Sequence, residues 1–164
     1  MARRAKKTRD ESELKIGVQG FVRALAVDAR TGKVLAERKT KNVVVDGGRN
    51  EIIRLISANG VTAGGKISHL ELGIGTSSAN VTDTALATAT GARATVAGSL
   101  LTNGTVQYTC SFDTAFATGA ALQEVGLFNS SSAGTMFARA KFGTINKTSE
   151  MTLAFTYQLN FTTG

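Results

Sequence analysis

MTLAFTYQLNF, residues 151–161, alternates from end to end. Met151, Leu153, Phe155, Tyr157, Leu159 and Phe161 are apolar; Thr152, Thr156, Gln158 and Asn160 between them are polar, with Ala154 neutral. A two-residue period describes a strand with one face in a core and the other in water. The pattern recurs upstream. Val106, Tyr108, Cys110 and Phe112 alternate with Thr105, Gln107, Thr109 and Ser111, and Met136, Ala138, Ala140 and Phe142 oppose Arg139 and Lys141. Strands are expected at about 92–101, 104–113, 121–128, 135–142 and 150–162.

Further back, 16–28 and 33–39 read as a hairpin turning through Asp28–Lys33, with Gly32 free to take positive φ. A short strand at Asn42–Val45 ends at Asp46-Gly47-Gly48. A helix is expected at about 49–58, its apolar stripe Ile52, Ile53, Leu55 and Ile56, with Glu51 and Arg54 toward water and Asn59-Gly60 as its stop. In Ile67–Ile74, Leu70, Leu72 and Ile74 share one face and His69 and Glu71 the other. Asp83–Leu86 is expected to make one helical turn capped by Asp83. Further turns fall at Asn103-Gly104, Ser130–Gly134 and Asn146–Ser149, Asn-Gly being a strong hairpin signal. Many short strands with regular turns predict a mainly β protein: an antiparallel, jelly-roll-like β-sandwich with one short packed helix and a basic N-terminal arm. Residues 1–15 read as the arm and 16–164 as a single domain.

Charge is unevenly placed. Of 19 Lys and Arg and 12 Asp and Glu, 14 and 7 fall at or before Arg54, so the net charge of +7 sits in the first third. A basic segment joined to a neutral β domain points to an acidic partner, with Arg3, Arg4, Lys6, Lys7 and Arg9 as the binding residues of the arm. A solubilising tail is the plainer reading of the same residues. The single cysteine excludes a disulfide framework within the chain. No apolar run follows the basic start, so no secretory signal is expected, and no stretch has the apolar length of a membrane span. Five Asn-x-Ser/Thr triplets are the by-product of a Thr-rich β sequence.

No catalytic pattern interrupts the strands. His69 is the only histidine, too few for a triad or a His-rich metal site, and reads as a solvated strand residue beside Glu71. Cys110 falls on an inward face, where a thiol stays protonated. Gly73-Ile-Gly75 lacks the third glycine of a dinucleotide loop and has no Gly-Lys-Ser/Thr after it, so it reads as a strand end turning sharply. Glu71, Asp83, Asp113, Glu124 and Glu150 are scattered. No catalytic residue, metal site or cofactor is expected. Base stacking needs aromatic platforms, and Phe21 alone accompanies the basic residues; phosphate contact by the arm needs none.

Two stretches carry a resemblance. One is ISHLELGIGTSS, residues 67–78, followed by Asp83–Leu86 and Arg93; the other is EVGLFN, residues 124–129, followed by GTMFARAKF, residues 134–142, and Leu153–Phe161. With TKNVVVDGGRN, residues 40–50, they resemble a loose group of tailed-bacteriophage virion proteins found among tail, fibre and head-decoration components. The resemblance covers about residues 16–162. It implies β-sandwich modules that assemble and no enzymatic activity, and marks no binding residue. The expectation is a capsid decoration or cement protein in the virion, assembled in the host cytoplasm and bound to the major capsid protein through its basic N-terminal region. The alternatives are a tail, collar or fibre-anchoring protein and, in another class, a nucleic-acid-binding packaging protein. Exposed strand edges favour a homo-oligomer, with a trimer as one form.

Overall fold

The computed structural model describes residues 16–56, 65–102 and 104–163. Arg3, Arg4, Lys6, Lys7 and Arg9 lie outside the described residues, as does Asn59-Gly60, the expected stop of the helix. The elements in chain order are β1 (Ile16–Asp28), β2 (Val34–Lys41), β3 (Val43–Val44), α1 (Asp46–Ile56), β4 (His69–Gly73), β5 (Ala89–Thr95), β6 (Ala97–Thr102), β7 (Thr105–Phe112), β8 (Ala121–Phe128), β9 (Met136–Asn146) and β10 (Met151–Thr163). They form two antiparallel five-stranded sheets, ordered β2-β1-β10-β7-β6 and β3-β9-β8-β4-β5. The expected mainly β sandwich with one packed helix is the fold that forms.

β10 is the spine of the first sheet, held between β1 and β7. Tyr157, Phe155 and Leu153 face Val22, Ala24 and Ala26 of β1 and Tyr108, Cys110 and Phe112 of β7. The alanines of β1 leave room for the rings of β10, a large-against-small fit across the paired strands. Leu70, Leu72, Val125, Leu127, Ala138, Ala140 and Phe142 close the core from the second sheet. Each fully buried Leu or Phe contributes about 1.5–3 kcal/mol by leaving water. Phe112 and Phe155 add an edge-to-face contact, centroids 6.0 Å apart.

The β1–β2 turn forms as its residues dictate. Asp28 Oδ1 accepts the N–H groups of Arg30 and Thr31 and the Thr31 hydroxyl, and Gly32 takes φ 72°.

The helix begins at Asp46, earlier than expected, and presents another face. Glu51 is buried and Ile53 is exposed, the reverse of the expected stripe. The cause is Gly48: a Cβ there would run into the backbone of Phe137, so the helix rests on β9 through its glycine side. This close approach brings Glu51, one turn on, toward the sheet, where Arg54 pairs with it at 3.1 Å.

Two strand expectations and one helical turn also change. The stretch 92–101 divides into β5 and β6, which belong to different sheets; Val96 sits between them, its N–H on Ser68 O. Met136 leaves the face of Ala138, because an irregularity between Leu127 and Phe128 inserts Phe137 and moves Met136 to the opposite side. Asp83–Leu86 forms no helical turn. The Asp83 carboxylate accepts the Asn80 N–H behind it and Arg139, rather than capping forward.

Candidate assembly surfaces

The second sheet has a covered outer face. Glu124 on β8 projects from that face, and the loop 74–88 wraps it. Its carboxylate accepts the N–H groups of Gly75, Ala87 and Thr88 at 2.8, 3.0 and 2.8 Å. Arg139 on β9 closes the other side, its Nε donating to Glu124 at 2.9 Å. The same guanidinium reaches Asp83 at 2.7 Å and the carbonyls of Ser77 and Ser78. Gly73 and Gly75 permit this approach: a Cβ on either would strike the Glu124 carboxylate. The Gly-x-Gly is thus a strand end turning sharply over a buried acid.

Burial acts to lower the Arg139 pKa, and the bonds to Asp83 and Glu124 overcome it and raise the pKa. For Asp83, burial acts upward, while the Asn80 N–H and Arg139 hold the carboxyl below its ordinary value. Glu124, Arg139 and Asp83 are occupied in holding the loop.

Beside the latch, Leu86 drops into a small second core with Val45, Phe128 and Met136. Arg93 lies 3.5 Å above the Phe128 ring, pairs with Glu71 at 3.4 Å, and donates to the carbonyls of Ser130 and Ala133. At another end of the sandwich Lys147 is buried, its ammonium donating to the carbonyls of Thr114 and Thr148 at 2.8 Å each. Burial lowers its pKa. These charges bind loops to the sandwich; sequence reasoning missed Arg93, Glu124, Arg139 and Lys147 in that role. A cation or acid within a run of apolar neighbours, as in MFARAKF and ALQEVGLF, was the available signal.

His69 places Nδ1 2.8 Å from Ser68 Oγ, and Glu71 is engaged by Arg93. Cys110 is buried, and desolvation pushes its thiol up to about 11. Among the described residues no three His, Cys, Asp or Glu side chains gather to hold a metal ion. No helix among them is long and apolar enough to cross a membrane.

Among the described residues no element covers the outer face of the first sheet, which carries polar side chains. Thr109, Ser111, Thr156 and Gln158 stand on it beside Ala97 and Ser99, with Gln158 donating to Gln107 at 2.9 Å. Its β2 margin is basic. Arg23 and Lys39 converge on Glu37 at 2.7 and 3.1 Å. Their two bonds hold the Glu37 carboxyl below its ordinary value. Lys41 stands opposite the exposed Phe21, and Arg30 and Lys33 extend the basic margin to the turn. Arg38 bridges instead to the second sheet, donating to the carbonyls of Gly143 and Thr144. A shallow depression lined by Phe21, Arg23, Lys39, Gln107 and Gln158 runs beside this margin. Of the described basic residues of the first third, Arg23, Arg30, Lys33, Lys39 and Lys41 therefore collect on one edge and its turn, while Arg49 and Arg54 lie on α1.

The chain matches no family model, no curated protein and no solved structure.

Proposed function

We propose that this chain is a non-enzymatic structural protein of a tailed-phage virion, a capsid decoration protein that binds the lattice through its basic N-terminal third. The observation that carries the reading is the placement of charge. Arg23, Arg30, Lys33, Lys39 and Lys41 lie along β1, β2 and their turn, while the described residues from Asp46 onward carry equal numbers of basic and acidic side chains. An edge of this kind draws an acidic lattice by long-range attraction and orients the neutral module away from it. The resemblance of residues 67–78, 124–129 and 134–142 to phage virion proteins supplies the biological setting of the proposal.

The test is the copy number of the chain in purified particles, by quantitative mass spectrometry against the major capsid protein. A ratio near that of the capsid protein supports lattice decoration. A ratio lower by an order of magnitude or more moves the chain to the tail, collar or fibre. Absence from mature particles overturns the virion reading and favours nucleic-acid packaging. Deletion of residues 1–15 then separates the arm from the fold: far-UV circular dichroism is expected to be retained and particle binding lost. Undiminished decoration by the truncated chain would remove the arm from the mechanism.

A further inference from the structure

Two sheets have four edges, and three of these are guarded. β2 carries Glu37, Arg38, Lys39 and Lys41. β3 is two residues long. β5 bulges opposite Glu71, where Gly91 takes φ 73° and Arg93 turns onto Phe128. Charge, brevity and bulges are the devices that keep strand edges from pairing. β6 has no charge and, among the described residues, no covering element. Ala97, Gly98, Ser99, Leu100 and Leu101 are all exposed, Leu100 at 74% and Leu101 at 46%. Between Arg93 and Asp113 the chain holds no charged residue.

We propose that β6 is the self-association edge: two copies pair β6 to β6, antiparallel about a twofold axis, so that the sheet continues from one copy into the other. The occupant is a second copy for two reasons. An antiparallel edge is its own complement under a twofold, its free N–H and C=O groups meeting the same groups of its mate. A chain of net charge +7 repels itself wherever its basic third comes close. β6 is the uncharged edge farthest across its sheet from basic β2.

Side-chain size selects a register. With Ser99 on the axis, Leu100 falls opposite Gly98 of the other copy and Leu101 opposite Ala97. Gly98 has no side chain to cover the half-buried Tyr108 ring, which would lie 3.1 Å from a Cβ there. The mate's Leu100 supplies the missing apolar cover from the side. The irregularity between Leu100 and Thr102 ends the pairing toward the turn. The inference concerns how copies meet and does not depend on what the chain decorates.

The test uses the isolated full-length protein, so its outcome is independent of any particle assay. The interface is short, and interfaces below ~1,200 Å² are commonly transient, so it is trapped covalently. Ser99→Cys is treated with oxidised glutathione, which accepts the two thiol electrons, and run on a non-reducing gel. A twofold at this position brings the two Cα atoms within disulfide reach, ~4.4–6.8 Å. The expected result is a reducible dimer at several times the yield from Lys39→Cys on the opposite edge, with wild type remaining monomeric on the gel. Adding Leu100→Lys to Ser99→Cys is expected to abolish the excess while leaving the melting temperature unchanged. Equal yields from the two edges, or an excess indifferent to Leu100→Lys, would overturn the proposal.

Discussion

Glu124 on β8 and Arg139 on β9 meet on the diagonal between neighbouring strands, Nη2 to Oε2 at 2.7 Å, both side chains withdrawn from solvent. Around this pair the loop 74–88 is tied to a sheet face that would otherwise be open. Arg139→Ala leaves a buried carboxylate without its cation and is expected to cost about 3–5 kcal/mol. The double change Glu124→Leu with Arg139→Met removes both charges, yet strands the N–H groups of Gly75, Ala87 and Thr88. It is expected to recover only part of the loss. Urea denaturation of wild type and the two variants checks both statements, and equality of the double variant with wild type would deny the backbone bonds their role.

Asp83 makes the latch acid-sensitive. Its carboxyl is held below the ordinary value of 3.8, so the unfolded state binds the proton more readily than the native state. Its stabilising contribution is therefore complete above that value and is lost as pH falls through the native pKa. Asp83→Asn is expected to be less stable than wild type at neutral pH, with the difference narrowing on acidification below about pH 4. Melting temperatures of the two proteins across pH 2–7 measure this, and a constant difference would refute it.

Tyr157 is fully buried, and its hydroxyl and the Asn42 amide lie close together between the sheets without a well-formed hydrogen bond. The absent Cβ of Gly20 makes the space that the Asn42 side chain fills. Tyr157→Phe removes a poorly satisfied hydroxyl and keeps the ring, so its expected effect at pH 7 is within about 1 kcal/mol of zero. Tyr157→Ala is expected to cost about 3–5 kcal/mol as a core ring deletion. Burial raises the Tyr157 pKa, so wild type is expected to lose stability as pH rises above about 10. Tyr157→Phe lessens that loss. Chemical denaturation at neutral and alkaline pH tests each statement.

Two glycines should respond differently to substitution. Gly48→Ala pushes a methyl into the Phe137 backbone, and an overpacking cost of about 1–3 kcal/mol is expected. Gly32→Ala meets open space but carries φ 72°, so its cost of about 1–2 kcal/mol is conformational. Asn tolerates that backbone, so Gly32→Asn is expected to recover most of the loss, whereas Gly48→Asn is expected to be worse than Gly48→Ala. Thermal melts of the four variants decide.

Cys110 should be chemically silent in the folded protein. Its thiol is buried and raised to about 11, so little thiolate exists at pH 8. A chromogenic disulfide reagent is expected to react only at the rate of unfolding, and immediately in denaturant. Rapid reaction without denaturant would place the thiol in solvent.

The alternation of residues 151–161 was enough to set β10 and the inward direction of Leu153, Phe155, Tyr157 and Leu159. Strand period is a local property, fixed by where successive Cβ atoms point. The hairpin through Asp28–Gly32 was legible for the same reason: Asp and Gly bend their own backbone. The uneven charge was plain in composition, and the sandwich class followed from strand number and turn spacing. What the alternation could not show was a second layer over one sheet. Glu124 and Arg139 occupy polar positions of their strands as the pattern requires, and become buried only because loop 74–88, distant in sequence, folds back on them. Leu55 and Ile56 drew the expected helix face toward the apolar stripe, but the face taken depends on how closely Gly48 can approach Phe137. The division of 92–101 at Val96 follows the same logic, since alternation continues across it and only the pairing partners change sheet. Local chemistry determined the strands and turns of this protein; long-range packing decided which faces are covered, which charges are buried, and that β6 lies at a sheet edge with no covering element among the described residues.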